Sequence, residues 1–131
     1  MQLHLEIIGV LLVFLAIIHV VFPKYFRWKE ELNSLQLINQ QMMYVHTFFI
    51  GLTVLLMGIL CLTSSNDLLL TAFGRKISFA LGVFWIIRLF FQFFGYSSAL
   101  WRGKTFETII HIIFTALWIY FSTIFFRIYF H

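Results

Sequence analysis

Four long apolar runs, separated by short stretches rich in charged, polar or turn-forming residues, set the plan of this 131-residue chain. They extend from about Leu5 to Phe22, Tyr44 to Leu62, Ile77 to Gly95 and Phe106 to Ile128. Each comes close to the roughly 20 apolar residues that a helix needs to cross a hydrocarbon core about 30 Å thick. None alternates apolar and polar residues with a period of two, which argues against barrel strands. The expected fold is all-α, an integral membrane four-helix bundle with short connections. No linker, low-complexity tract or internal repeat interrupts it, so residues 1–131 read as a single transmembrane domain. The first run has no basic residue before it, carries Glu6 and lacks a small-x-small cleavage pattern ahead of Lys24. It is therefore expected to be a retained helix rather than a secretory leader.

The connections fit this plan. Pro23 to Glu31 mixes Lys24, Arg27 and Lys29 with Tyr25, Phe26 and Trp28, a composition suited to a membrane interface, and Asn33-Ser34 follows as a candidate helix cap. From Leu35 the chain is expected to coil already, giving the second helix a wet start at Asn39, Gln40 and Gln41. Thr63 to Asp67 is turn-like, Leu68 to Phe73 is too short to span, and Gly74-Arg75-Lys76 leads into the third helix. Ser97 to Lys104 holds Trp101, Arg102 and Lys104, with Thr105 as the candidate cap of the fourth helix.

Composition settles the solvent. With 62% hydrophobic and only 11% charged residues, the chain has too little polar surface to cover a soluble globule, so its principal partner is the lipid bilayer. A net charge of +4 is no nucleic-acid signal, because apart from Arg88 the bases lie at the ends of the apolar runs or between them. Cys61 is alone and reads as a small buried apolar residue.

The polar exceptions inside the runs carry the candidate chemistry, since ionisable groups in lipid are expensive to keep. Hairpin threading places His19, His46, Arg88, Gln92, Glu107 and His111 toward one membrane face. Trp85, Arg88, Gln92 and Tyr96 recur at helical spacing on the third helix, as do Glu107, His111, Thr115, Trp118 and Ser122 on the fourth. Asn39, Met43, His46, Thr53 and Met57 form a looser line on the second, whereas His19 has mostly apolar neighbours. Such seams are expected to turn inward, away from lipid.

Several chemistries suit this set. His46 and His111 are the favoured imidazole pair for a metal, above all for haem iron bound axially, with Arg88 pairing a propionate. A quinone fits as well, its carbonyls taking hydrogen bonds from His, Tyr96, Gln92 or Arg88 while Trp85 and Trp118 contact the ring. The leading reading is thus a small membrane protein binding a redox cofactor, haem or quinone, at His19, His46, Arg88, Gln92, Tyr96, Glu107 and His111. One alternative is a lipid-modifying enzyme in which Arg88 grips an anionic headgroup and His111, supported by Glu107, acts as base. Another is a structural or proton-handling subunit of a homo-oligomer or larger membrane complex, and a purely structural reading makes an Arg88–Glu107 ion pair, with His to Thr or Tyr hydrogen bonds, the glue of the helices with no ligand at all.

Orientation follows from the bases. Lys24, Arg27, Lys29, Arg102 and Lys104 mark one face, against Arg75, Lys76 and Arg127 on the other, so both termini are expected outside the cytoplasm of a bacterial-type inner or plasma membrane. Alkaline phosphatase fused after His131 should accordingly be active in bacterial cells and a fluorescent protein at the same position dark; the opposite pattern would reverse the topology.

Overall fold

The computed structural model describes every residue except Ser97 and Trp101, and Ser98 by its backbone alone. The interfacial role expected of Trp101 lies outside the described residues. Helix α1 (Gln2–Tyr25) leads through the single turn α2 (Trp28–Glu31) to α3 (Leu37–Thr63), and the short α4 (Ser65–Leu70) precedes α5 (Ala72–Phe94). A 3-10 turn at Ser98–Leu100 precedes α6 (Thr105–Phe130), and no strand occurs among the described residues. The fold is all-α, and α1, α3, α5 and α6 are each long and apolar enough to cross a membrane. All four expose large apolar side chains, among them Phe14, Phe48, Phe94 and Ile112. Water would not tolerate so much of that surface, and acyl chains accept it, as befits an integral membrane protein.

The helices outrun the apolar runs. Pro23, expected in a connection, lies inside α1. It removes one backbone donor, but so near the helix end that little of the ladder is lost. The chain leaves α1 through Arg27, whose φ of 55° is left-handed. Before α3 the cap position is held by Gln36 in an extended conformation with no side-chain bond, so Asn33 and Ser34 do not cap the helix. Gln40 instead folds back to donate to the Leu35 carbonyl at 2.7 Å. The stretch expected to lead into the third helix is its first turn, because the Thr71 hydroxyl caps α5 by accepting from the Gly74 N–H at 2.8 Å. Lys104, not Thr105, occupies the cap position of α6.

Two compact units divide the chain, Leu3–Ser65 and Asn66–His131, the latter joined by Met1–Gln2. In the first, α1 and α3 approach backbone to backbone. A methyl group on Gly58 would lie 2.9 Å from the Gly9 carbonyl oxygen, and one on Gly51 would lie 3.1 Å from the His19 Cβ. Small residues seven apart on α3 thus permit a close antiparallel contact, in which dispersion between well-fitted surfaces does the work that the hydrophobic effect cannot do in lipid. In the second unit the corner between α4 and α5 is equally tight, since any side chain at Gly74 would collide with the Asp67 backbone. Helices α5 and α6 pack along their whole length through aromatic side chains. Gly82 receives the Phe126 ring, Phe79 meets Phe126 edge-on, and Arg75 donates to the carbonyls of Ile128 and Tyr129 at 3.2 and 2.7 Å. The last pair of bonds satisfies orphan acceptors at the end of α6, where a cation also favours the helix dipole.

The close contact makes a quantitative prediction. Gly58→Leu should destabilise the chain by about 1–3 kcal/mol through overpacking against the Gly9 backbone. Phe48→Leu, on an exposed position of the same helix, should change little. Unfolding in detergent, followed by circular dichroism, measures both.

Candidate functional site

Helix α5 brings Trp85, Arg88 and Gln92 onto one line by successive steps of three and four residues, Tyr96 follows just past its end, and α6 brings up His111, Thr115 and Trp118. Gln92 is the buried centre, only 5% exposed. Its Oε1 accepts from Trp118 Nε1 at 3.3 Å and from Arg88 Nη1 at 3.4 Å. Its Nε2 donates to the His111 carbonyl at 3.3 Å and lies 3.0 Å from His111 Nδ1. Tryptophan and arginine can only donate and a carbonyl can only accept, so the amide has a single consistent orientation. It follows that His111 Nδ1 accepts from the amide and that Nε2 carries the ring proton. The Thr115 hydroxyl adds a second donor to the His111 carbonyl at 2.8 Å.

Arg88 is held differently. It is half-buried, its two hydrogen bonds, to Gln92 and the Tyr96 hydroxyl, are both long at 3.4 Å, and neither partner is an anion. Its guanidinium lies 5.2 Å from the centre of the Trp118 ring and 5.4 Å from that of Tyr96. Two π faces thus supply part of the compensation that a carboxylate would otherwise give. Glu107 is exposed and stands outside this network, so the Arg88–Glu107 ion pair weighed as structural glue does not form. Under the charged group lies a slab of stacked rings. Trp85 and Trp118 are 4.9 Å apart at 15°, Phe114 and Trp118 are 5.6 Å apart at 8°, and Phe121 meets Trp85 edge-on.

The other two candidates, His19 and His46, belong to the α1–α3 unit. Each ring turns Nδ1 toward the carbonyl four residues earlier, His19 to Leu15 at 2.8 Å and His46 to Met42 at 2.7 Å. A carbonyl only accepts, so both rings carry a proton on Nδ1, and the neutral form of each is the Nδ1–H tautomer, the reverse of His111. His19 lines an apolar groove of about 370 Å³ together with Ala16, Pro23, Tyr44, Thr47 and Gly51. His46 is exposed and lies outside that lining. Among the described residues, no three His, Cys, Asp or Glu side chains converge as a metal site would require. Of the candidates read from the sequence, the structure therefore joins Arg88, Gln92, Tyr96 and His111, adds the Trp118 N–H, and leaves Glu107 aside. Spacing alone places Gln92 in the seam; its role as the pivot depends on the register of α5 against α6, for which the sequence carries no local signal.

Replacing the pivot should be costly. Gln92→Leu keeps the volume but strands the buried Trp118 donor, a loss of about 1–3 kcal/mol. Denaturant titration in detergent should show that loss, with a change in tryptophan emission as the indole N–H loses its partner.

In comparison with known proteins, the chain matches no family model, no curated protein and no solved structure.

Proposed function

We propose that this integral membrane protein binds the head of a quinone on the seam between α5 and α6. The observation that carries this reading is Arg88, a cation inside a membrane helix whose partners are a neutral amide, a phenol and two aromatic faces rather than a carboxylate. Structural arginines in lipid are matched by an anion or by backbone carbonyls. One held by two long bonds keeps donors for something else, and a quinone carbonyl is an acceptor that needs no desolvated countercharge. The adjoining exposed ring of Tyr96 offers a flat apolar surface beside the guanidinium, as small-molecule sites commonly do around a few convergent polar groups.

At His111 the tautomer favours quinone over haem. An imidazole that ligates a metal through Nε2 normally donates its Nδ1–H to an acceptor. His111 has an amide donor at Nδ1 instead, so ligation through Nε2 would oblige the Gln92 network to rearrange. The same reading places the site toward the face bearing the Ser97–Lys104 connection, which the distribution of bases assigns to the cytoplasmic side of a bacterial-type inner membrane. Association with a second copy or with a larger membrane complex would bring a redox partner to this small chain.

Full-length protein in nanodiscs, titrated with decyl-ubiquinone, should show saturable quenching of tryptophan emission. Arg88→Ala should weaken binding by about 10–100-fold, the worth of one hydrogen bond to a charged group. Its unfolding midpoint should stay near that of the wild type, because the bonds lost within the protein are long. Absence of saturable quenching would overturn the quinone reading, and a Soret band in gently purified protein would restore haem.

A further inference from the structure

Trp85 is 2% exposed, and its indole N–H has no hydrogen-bond partner, the one buried side-chain polar atom so left among the described residues. An unmet donor in a dry environment is costly, and native structures that keep one usually have a use for it. Nothing in the packing demands an indole for its nitrogen. The ring stacks on Trp118 and meets Phe84 and Phe121 edge-on, contacts that a purely apolar ring would also make. The position of the donor is what sets it apart. Trp85 lies three residues before Arg88 on α5, a rise of about 4.5 Å on the same side of the helix. Both groups pack against one ring, that of Trp118, at 4.9 and 5.2 Å.

From this we infer that Trp85 Nε1–H is the second donor of the ligand site and that the site selects a ring bearing acceptors on opposite edges, the 1,4-quinone pattern. This inference rests on the reading of Arg88 as the first donor. Arg88 takes the carbonyl nearer the α5 C-terminus, where Tyr96 and partial exposure keep it accessible. The other carbonyl, one turn deeper, reaches the indole N–H only if the seam opens around it, since that donor is buried in the ligand-free chain. A ring with one carbonyl satisfies Arg88 alone and leaves Trp85 as it stands in the ligand-free chain. The unpaired donor therefore acts as a selectivity device, destabilising in the empty protein and compensated only by a ligand with a second acceptor.

Trp85→Phe tests this, because it keeps an aromatic ring in the stack and removes only the donor. In nanodiscs, the variant should bind decyl-ubiquinone about tenfold more weakly than the wild type, the equivalent of one neutral hydrogen bond. Its affinity for a decyl-substituted cyclohexenone, which keeps a single carbonyl, should be unchanged, and its ligand-free unfolding midpoint should be equal to or above that of the wild type. Equal weakening for both ligands would assign Trp85 a packing role and overturn the inference, as would unaltered binding of decyl-ubiquinone. In either case retention of the Arg88→Ala effect would leave the quinone reading standing. No binding of decyl-ubiquinone by the wild type would overturn both. Infrared difference spectra of the wild-type complex provide a measurement that does not depend on the variant folding: both carbonyl stretches should shift to lower frequency, and one alone should respond to ¹⁵N labelling of the indoles. A single shifted carbonyl would refute the second donor.

Discussion

The side-chain amide of Gln92 can face only one way, and the chemistry of the α5–α6 pair follows from that. Trp118 and Arg88 bring it donors, the His111 carbonyl brings an acceptor, and burial removes the water that could otherwise relax the arrangement. In a low-dielectric interior a fully paired amide is a rigid joint, whereas a partly paired one would be a liability. The joint sets the Trp118 ring plane, and through it the slab on which Trp85 stacks and above which Arg88 rests. It also decides where the His111 proton sits. A single neutral residue thus fixes the geometry of one charged and one titratable neighbour without itself being a plausible reactant.

The two helix pairs solve the same problem by different means. Lipid offers no hydrophobic gain for burying one apolar helix against another, so association must come from contact density or from polar bonds. Helices α1 and α3 use the first device, with Gly9 against Gly58 and Gly51 against the α1 backbone beside His19. Helices α5 and α6 use both. Aromatic rings fill their seam, while the Gln92 amide and the Arg75 bonds to the α6 C-terminus cross it. The polar investment is therefore concentrated on the pair that also carries the cation, and the histidines of the other pair satisfy one ring nitrogen each within their own helices.

Much of this is legible before any coordinates. The length of the apolar runs gives four spanning helices, and the three-and-four spacing of Trp85, Arg88 and Gln92 shows that they share a side of one helix, while Tyr96, expected on the same line, lies just past the helix end. Helix ends are less legible, because they turn on local detail. Pro23 is tolerated within the last turn of α1, and Thr71 caps α5 well ahead of its apolar run. Pairing is least legible of all. Arg88 and Glu107 look complementary as charges, but α5 against α6 in its actual register sets Arg88 over rings and leaves Glu107 exposed. Opposite charge predicts attraction, and only register says whether the groups can meet. The tautomers of the three histidines are likewise beyond sequence, since each depends on whether an acceptor or a donor lies at Nδ1.

Arg88 and Gln92 sit one turn apart on the same helix and divide two tasks that membrane proteins often burden a single residue with. Gln92 is buried, makes bonds with both of its amide ends, and ties α5 to α6; its loss is a loss of structure. Arg88 makes two bonds near the limit of useful length, keeps donors uncommitted and leans on π faces that impose little directionality. A group held so loosely can move toward an acceptor at small cost, because it gives up little in leaving its resting partners. Were Arg88 clamped by a carboxylate, any ligand would have to compete with that partner inside a medium that makes ion pairs strong. The absence of a carboxylate from the contacts of Arg88 is therefore the feature on which the proposed ligand role rests. It also explains why the neighbouring amide, rather than the cation, carries the packing of the pair.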